Sequence, residues 1–518
     1  MTDMPFDGGD HTYDEALLSS PPTYDPWSTE ALERIGELLD EPQHYEPMAD
    51  IVFPEISFIG RLPPELLAQV FLHSAACHPD SPSRLSQVCK AWRDVAHMYS
   101  SVWQHVNIIC NTEPDLQRMR HKAEYWLERS KVVPVDIGIV YGDTQYLLPL
   151  LSYVVPAVQR WQNAIFVGLC AAGITPHFHC DGKNSHLDSL AITLSHPDPN
   201  DVVTEDTDLL EEAAQRIKML SFNDQHLKLR ALAVVIHTFP SSEHMAQLST
   251  LTELNIIHSS FDDSKLTPHH VLDFVSVCPS LESIYFDNGW CREPEPHDPC
   301  IDIPVTTIPH LRTLSLRCLT SIRCFLSHIS TPALENLSLI HINTSNEFDP
   351  ENPGEPGDSD DEANDFSQSP WTDHATGMGL RKLFSRCTPP IRVFDMDYAD
   401  LRTKDFKWLF SNFTELETLR VVASDMSDNV ARALQPTETW RPLPRLTQLE
   451  LCQCQKLSGE AVERMVKARY NGGKDGLVMP LEQMNIINCM GVSVWNYHSI
   501  AHTFKPRDGL SYIPFSDN

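Results

Sequence analysis

The sequence predicts a small helical module followed by a repetitive α/β solenoid, and three observations carry that expectation. A compact segment, 57–106, holds closely spaced apolar stripes at helical period. From residue 187 onward the pattern Leu-x-x-Leu-x-Leu, with apolar substitutes, recurs down the chain. Helical stripes fill the intervals between its copies. Strand and helix therefore alternate, as in a stack whose units bury their faces only against their neighbours.

Residues 1–26 are polar, acidic and rich in Pro and Ser, the composition of a disordered tail. In 27–42, Ser28 precedes Glu30, Leu32, Ile35, Leu38 and Leu39, which reads as a short amphipathic helix ended near Pro42. It serves either to pack on the next module or to bind a partner. Leu62-Pro63-Pro64 then opens the 57–106 module, because proline is tolerated in a first helical turn where its missing N–H would lack a partner anyway. Leu66, Leu67, Val70 and Phe71 form one stripe. The interval 78–83 carries Pro79 and Pro82 and breaks the helix, with Ser81-Pro82 as a cap and first helical residue. Leu85, Val88, Cys89 and Trp92 make the next stripe, continued by Val95, Ala96 and Tyr99 and closed by Trp103. A unit this small cannot bury a large core by itself, so its apolar leading edge must meet either the following domain or another chain.

The ordered run Leu62-Pro-Pro-Glu-Leu-Leu67, Val70-Phe71, Val88-Cys-Lys-Ala-Trp-Arg-Asp-Val-Ala96 and Trp103 resembles an F-box. The resemblance implies a helical module that binds a Skp-type adaptor and, through it, a cullin-based ubiquitin ligase. It implies further that Leu62, Pro63, Pro64, Leu66, Leu67, Val70 and Phe71 face the adaptor. Val88, Cys89, Trp92 and Trp103 would complete the module's interior and the lower part of the contact. The spacer between Leu72 and Leu85 is long for the family, which leaves the loop geometry open. The opening and the degenerate repeats behind it are similar to those of basidiomycete-type F-box proteins.

Val132 to Ile139 alternates like a strand. Copies of the pattern begin at Leu187, Ile217, Leu229, Leu251, Leu281, Leu311, Leu334, Ile391, Leu416, Leu446 and Leu481. The commonest interval, about thirty residues, lies near the long end for leucine-rich repeats. Between copies run helical stripes such as Val271, Phe274 and Val275, or Val462, Met465 and Val466. Leu449-Glu-Leu451-Cys-Gln-Cys454 resembles the cysteine-containing repeat subtype found in F-box proteins, with Cys452 and Cys454 sharing a strand face. The array is expected over 107–345 and 371–504. It is interrupted at 346–370 by an acidic insertion lacking Lys and Arg, in which Ser359 precedes three acidic residues as in acid-directed kinase sites. Residues 505–518 read as a tail in which Leu510, Tyr512, Ile513 and Phe515 are able to cap the last repeat.

The formal charge of −32 argues against nucleic-acid binding, which draws its affinity from Lys and Arg. The 14 cysteines show no paired metal-type spacing and read as reduced thiols of a cytoplasmic or nuclear protein. The most apolar run, 147–158, is too short to span a bilayer. Hydrolase-elbow, phosphate-loop and zinc-protease motifs are absent from the sequence. Cys170, His177, His179 and Cys180 are the best metal candidate but lack a matching ligand pair. His269-His270 reads as a helix start, and Asn471-Gly-Gly-Lys474 as a turn. No catalytic, cofactor or metal residue is assigned.

The resemblance therefore implies a non-catalytic substrate-recognition subunit of an SCF-type ligase, with a protein substrate and neither nucleic acid nor membrane as partner. A scaffold that binds the adaptor outside any ligase is the alternative, and an enzyme with a divergent α/β domain the third reading. In each repeat the residue between the last apolar pair points away from the core. That places Asn255, Tyr285, Ser315, Ser338, Asp395, Arg420, Glu450 and Asn485 on one surface, concave if the array curves as leucine-rich repeats do. This row is the candidate substrate face.

Overall fold

The structure is a computed structural model. It describes residues 59, 62–142, 146–169, 178–179, 187–195, 220–221, 228–236, 239, 248–258, 266–289, 304–319, 322–341, 376–397, 401, 403–423, 426–503 and 510–513. The tail 1–26, the helix expected at 27–42 and the acidic insertion with Ser359 lie outside the described residues. The chain divides into two units, 1–63 and 64–518. Of the first, Ile59, Leu62 and Pro63 are described and exposed, and Leu62 N–H donates to the Ile59 carbonyl at 3.3 Å.

The second unit opens with three helices: α1 (Pro64–Cys77), α2 (Ser81–Val88) and α3 (Lys90–Met98). Asp80, not Ser81, takes the cap position of α2. Cys89 is extended (φ −155°, ψ 172°), and its thiol caps α3 by accepting from the Trp92 N–H. That break separates what reads as one stripe into two. A 3-10 turn, Ser100–Trp103, leads into β1 (His105–Cys110).

From β1 onward the chain builds one sheet of fourteen strands in sequential order, every neighbouring pair parallel. After α4 (Glu113–Ser130) come β2 (Val135–Tyr141), α5 (Leu147–Val154) and β3 (Trp161–Leu169). Then come β4 (Ser189–Ser195), β5 (Ala231–Val235), β6 (Glu253–Ile257), α6 (Pro268–Ser276) and β7 (Ser283–Asp287). They are followed by β8 (Thr313–Arg317), α7 (Ile322–Ser327), β9 (Asn336–Ile340), α8 (Thr376–Arg386) and β10 (Val393–Asp397). The series closes with α9 (Thr403–Asn412), β11 (Thr418–Val422), α10 (Asp428–Ala433), β12 (Gln448–Cys452), α11 (Gly459–Lys474), β13 (Gln483–Ile487), α12 (Val494–Thr503) and β14 (Leu510–Ile513). This is a leucine-rich-repeat-like solenoid behind a helical module.

The register explains the sequence pattern. The fourth position of each copy aligns across strands, Leu232 to Leu254, Ile284, Leu314, Leu337, Phe394, Leu419, Leu449 and Met484, and the sixth position does likewise. All are buried. Each such side chain contributes roughly 1.5–3 kcal/mol by leaving water, and none finds its neighbours without the next repeat. Where α8 packs on α7 the sequence supplies a small residue: a Cβ on Gly379 of α8 would lie 3.0 Å from Leu326 Cβ and 3.2 Å from the Arg323 Cα of α7.

Several expectations change. The copy at Ile217 contributes no strand to the main sheet: Leu220–Ser221 pairs instead with Phe178–His179 in a separate two-stranded ladder. The first strand after α4 begins at Val135 rather than Val132, which is exposed, because Lys131 ends α4 at φ 51°. The C-terminal segment supplies a strand, β14, paired in register with β13. Cys452 and Cys454 do not share a face. Gln453 between them has φ 51°, which breaks the two-residue period, so Cys452 joins an outer group with Val422, Ala423 and Ile487 while Cys454 enters the main core. The same left-handed step recurs after β8, β9, β11 and β13, at Cys318, His341, Ala423 and Asn488. At each, the N–H donates to the last strand residue of the following repeat, carrying the ladder one residue further. Cys324 is disulfide-bonded, against the expectation of reduced thiols, while the other described cysteines are free. No helix among the described residues is long and apolar enough to cross a membrane.

Candidate functional site

Two surfaces are candidates. The first lies on α1. Residues four apart share a helical face, so Leu66 and Val70 stand together and Leu67 and Phe71 stand together, about 100° round the axis. Leu67, Ala68, Phe71 and Ala75 form the inner face, and the Phe71 ring packs on Trp92 with centroids 5.2 Å apart. Leu67 and Phe71 therefore belong to the interior rather than to the exposed surface of the helix. Leu66 and Val70 remain 54% and 49% exposed, and Leu62, Pro63 and Pro64 are exposed as well.

The expected interior is corrected at two more positions. Val88 and Cys89 are exposed, because the helix breaks and restarts there. Trp92 is half-buried. Trp103 is fully buried, its indole N–H donating to the Ala96 carbonyl at 2.7 Å, with Trp126 edge-on at 5.1 Å and Tyr125 at 5.4 Å. Those two aromatics come from α4, beyond the 57–106 segment, and the Arg129 guanidinium lies 3.1 Å over the Tyr125 ring. The helical spacing of Met119, Ala123 and Trp126 inside 113–130 was the available signal. Met98, 64% exposed, is a further apolar group outside the core.

The second surface is the sheet face opposite the core. Asn255, Tyr285, Ser315, Ser338, Asp395, Arg420, Glu450 and Asn485 are direct register partners from β6 to β13, and all are half-exposed. In β4 and β5 the same row holds Ala191 and Ala233, both buried, so the open part begins at β6.

Within the row the polar groups bind one another. Arg420 Nε donates to Glu450 Oε1 at 2.8 Å, and Nη1 to Asp395 Oδ1 and Oδ2 at 3.0 and 3.2 Å. Asn485 Nδ2 donates to Glu450 Oε2 at 2.9 Å, and Asn485 Oδ1 accepts from Ser511 Oγ at 2.6 Å. Burial works against the Arg420 charge, but the carboxylates on both sides raise its pKa overall. Arg420 is thus a paired hub rather than a free cation. Burial raises the Tyr285 hydroxyl, against which Arg317 lies, and Arg317 in turn pairs with Asp287 at 3.7 Å.

The pattern missed Asp287, Arg317 and Asp397, because they sit one step past its sixth position, on the same outward face. Asp397 stands between Ile340 and Val422 in the ladder. Its Oδ1 is buried and has no hydrogen-bond partner among the described residues. Burial pushes its carboxyl up to about 6, against the opposing pull of Arg420 and Arg317.

Little covalent chemistry fits these surfaces. Burial holds the Cys278, Cys318 and Cys452 thiols up at about 12, far from the thiolate that a nucleophile requires. Of the metal candidate, Cys170, His177 and Cys180 lie outside the described residues. Among the described residues no three His, Cys, Asp or Glu side chains converge as metal ligands. His269 and His270 do open a helix, α6, where His270 Nδ1 lies 2.8 Å from the hydroxyl of the capping Thr267.

Residues 59–109 match the family model described as F-box-like. The matched stretch spans α1 to α3 and ends inside β1. No curated protein matches the chain.

Proposed function

We propose that this chain is the substrate-recognition subunit of an SCF-type cullin ubiquitin ligase. The F-box-like region would bind a Skp-type adaptor, and the solenoid would hold a protein substrate. The observation that carries the reading is the F-box-like match on a helix whose Leu66 and Val70 project from the fold while Leu67 and Phe71 anchor it. Leu62, Pro63, Pro64, Leu66 and Val70 are the proposed adaptor contacts, with Val88 and Cys89 at the lower part of the same contact. The sheet row from Asn255 to Asn485 is the proposed substrate face. The subunit catalyses nothing in this role. It raises the effective concentration of substrate near the ubiquitin-loaded enzyme. Residence in the cytoplasm or nucleus goes with that role.

The test is co-expression of the full chain with a Skp-type adaptor and a cullin. Recovery of both on the tagged chain, and loss of both on deleting 62–106, is expected. Adaptor without cullin would favour the scaffold reading, and recovery of neither would end the proposal.

A further inference from the structure

The open sheet face is not electrically balanced. From β7 to β12 it presents four carboxylates, Asp287, Asp395, Asp397 and Glu450, against two guanidiniums, Arg317 and Arg420. Both guanidiniums are committed. Arg317 pairs with Asp287, and Arg420 is shared by Asp395 and Glu450. Asp397 is left with apolar Ile340 and Val422 as its ladder neighbours and a buried oxygen without a partner among the described residues. Carboxylates taken out of water are normally paired or hydrogen-bonded, since burial of an unpaired one is strongly unfavourable. The face stands open where the pairing is missing: Asp395, Asp397, Arg420 and Glu450 are each half-exposed. Arg420 and Arg317 pull on the Asp397 charge but leave its buried Oδ1 without a hydrogen bond, so the pairing is open to completion by a cation from outside the sheet.

We propose that Asp397 receives a Lys or Arg side chain of the captured protein, so that the face selects substrates presenting a basic segment. This rests on the reading of the sheet row as the substrate face. The aliphatic stem of such a side chain lies along Ile340 while its charged end reaches the carboxylate, the arrangement long cationic side chains favour. A metal ion fits less well, because Arg420 already occupies the neighbouring carboxylates. An acidic segment would meet the excess of negative charge, and an apolar one would leave Asp397 buried without a partner.

The experiment uses the full chain with its adaptor and two fluorescent peptides of equal length, one alternating Lys and Ser, the other Gln and Ser. Anisotropy at low salt should show binding of the Lys peptide over the Gln peptide. Asp397→Asn should weaken Lys-peptide binding about tenfold or more, the loss typical of removing one member of a desolvated charge pair. Glu128→Gln removes an exposed carboxylate on α4 whose side chain is 82% accessible, and should leave binding within about twofold, as expected where water and salt already screen the charge. Asp397→Asn is isosteric and relieves a desolvated charge, so its melting temperature should hold or rise. Should it melt early, a photoreactive benzophenone residue in place of Ser338 replaces it as the readout. Crosslinking to the Lys peptide and not to the Gln peptide supports the site, and equal or no crosslinking overturns it. No preference for the Lys peptide, unchanged binding in Asp397→Asn, or an equal loss in Glu128→Gln would each overturn the inference. Adaptor recovery on the same preparations separates the two readings: adaptor bound without basic preference ends this inference alone, whereas absence of adaptor ends the ligase role.

Discussion

Leu66 and Val70 separate docking from folding more cleanly than any other pair in the helical module. Full burial of such a side chain contributes roughly 1.5–3 kcal/mol. Leu66 and Val70 are 54% and 49% exposed in the chain alone, so about half of that remains for a partner to collect, roughly 1 kcal/mol each. The double substitution Leu66→Ala with Val70→Ala should therefore weaken adaptor binding by about 2 kcal/mol, close to thirtyfold in Kd. Exposed positions contribute little to folding, so its melting curve should stay nearly that of the parent. Phe71→Ala, on the inner face of the same helix, is the counter-case. Phe71 is fully buried against Trp92, and its loss should cost about 3–5 kcal/mol of stability. Titration calorimetry with purified adaptor, together with thermal unfolding, measures both quantities. Unchanged Kd in the double variant, or a Phe71→Ala variant that stays folded and loses only the adaptor, would refute the assignment of inner and outer faces.

Three other expectations follow from single residues. Arg469 on α11 is fully buried and donates to the carbonyls of Pro442 at 3.1 Å and Leu443 at 3.0 Å, with Leu434 and Leu446 farther out, while burial lowers its pKa to about 10. Arg469→Met should destabilise the C-terminal repeats by about 3 kcal/mol by leaving carbonyls unpaired, and unaltered amide exchange across 434–446 would contradict this. Gln453→Val should lower the melting temperature and Gln453→Gly raise it, because φ 51° costs an L-residue about 1 kcal/mol and a β-branched one more; equal melting of the two variants would deny the left-handed step. His341 and Asp397 should oppose one another with pH. Burial, then Arg317, lowers His341 from 6.5 to about 4, so its stabilising share is present above 6.5 and lost as pH falls to 4. Asp397, raised from 3.8 to about 6, contributes below 3.8 and loses that share as pH rises through 6. Urea unfolding of His341→Gln should thus gain on the parent as pH drops from 6.5 to 4, and Asp397→Asn should gain as pH rises across the same range. Parallel pH profiles for either variant and the parent would remove that group from the account.

The alternation of strand and helix was legible in the sequence because it depends on period alone. Leu-x-x-Leu-x-Leu is a local statement, and ten of its eleven copies became strands of the main sheet. The helical module was legible for a different reason, the order of residues from Leu62 to Trp103. What escaped was everything that depends on neighbours in space. Strands β1, β3 and β14 carry no copy of the pattern, and the sheet recruits them by backbone pairing. Leu67 and Phe71 belong to the same stripe as Leu66 and Val70, and only the packing of α3 against α1 decides which pair turns inward. Arg420 reads as one member of an open polar row until Asp395 and Glu450, 25 and 30 residues distant, are brought to either side of it. Asp397 becomes conspicuous for the opposite reason, since its buried Oδ1 finds no hydrogen-bond partner among the described residues. Sequence period determines which way a side chain points along its own strand. Which charge it meets across the ladder is set by the stacking of separate repeats, and that is a property of the tertiary structure alone.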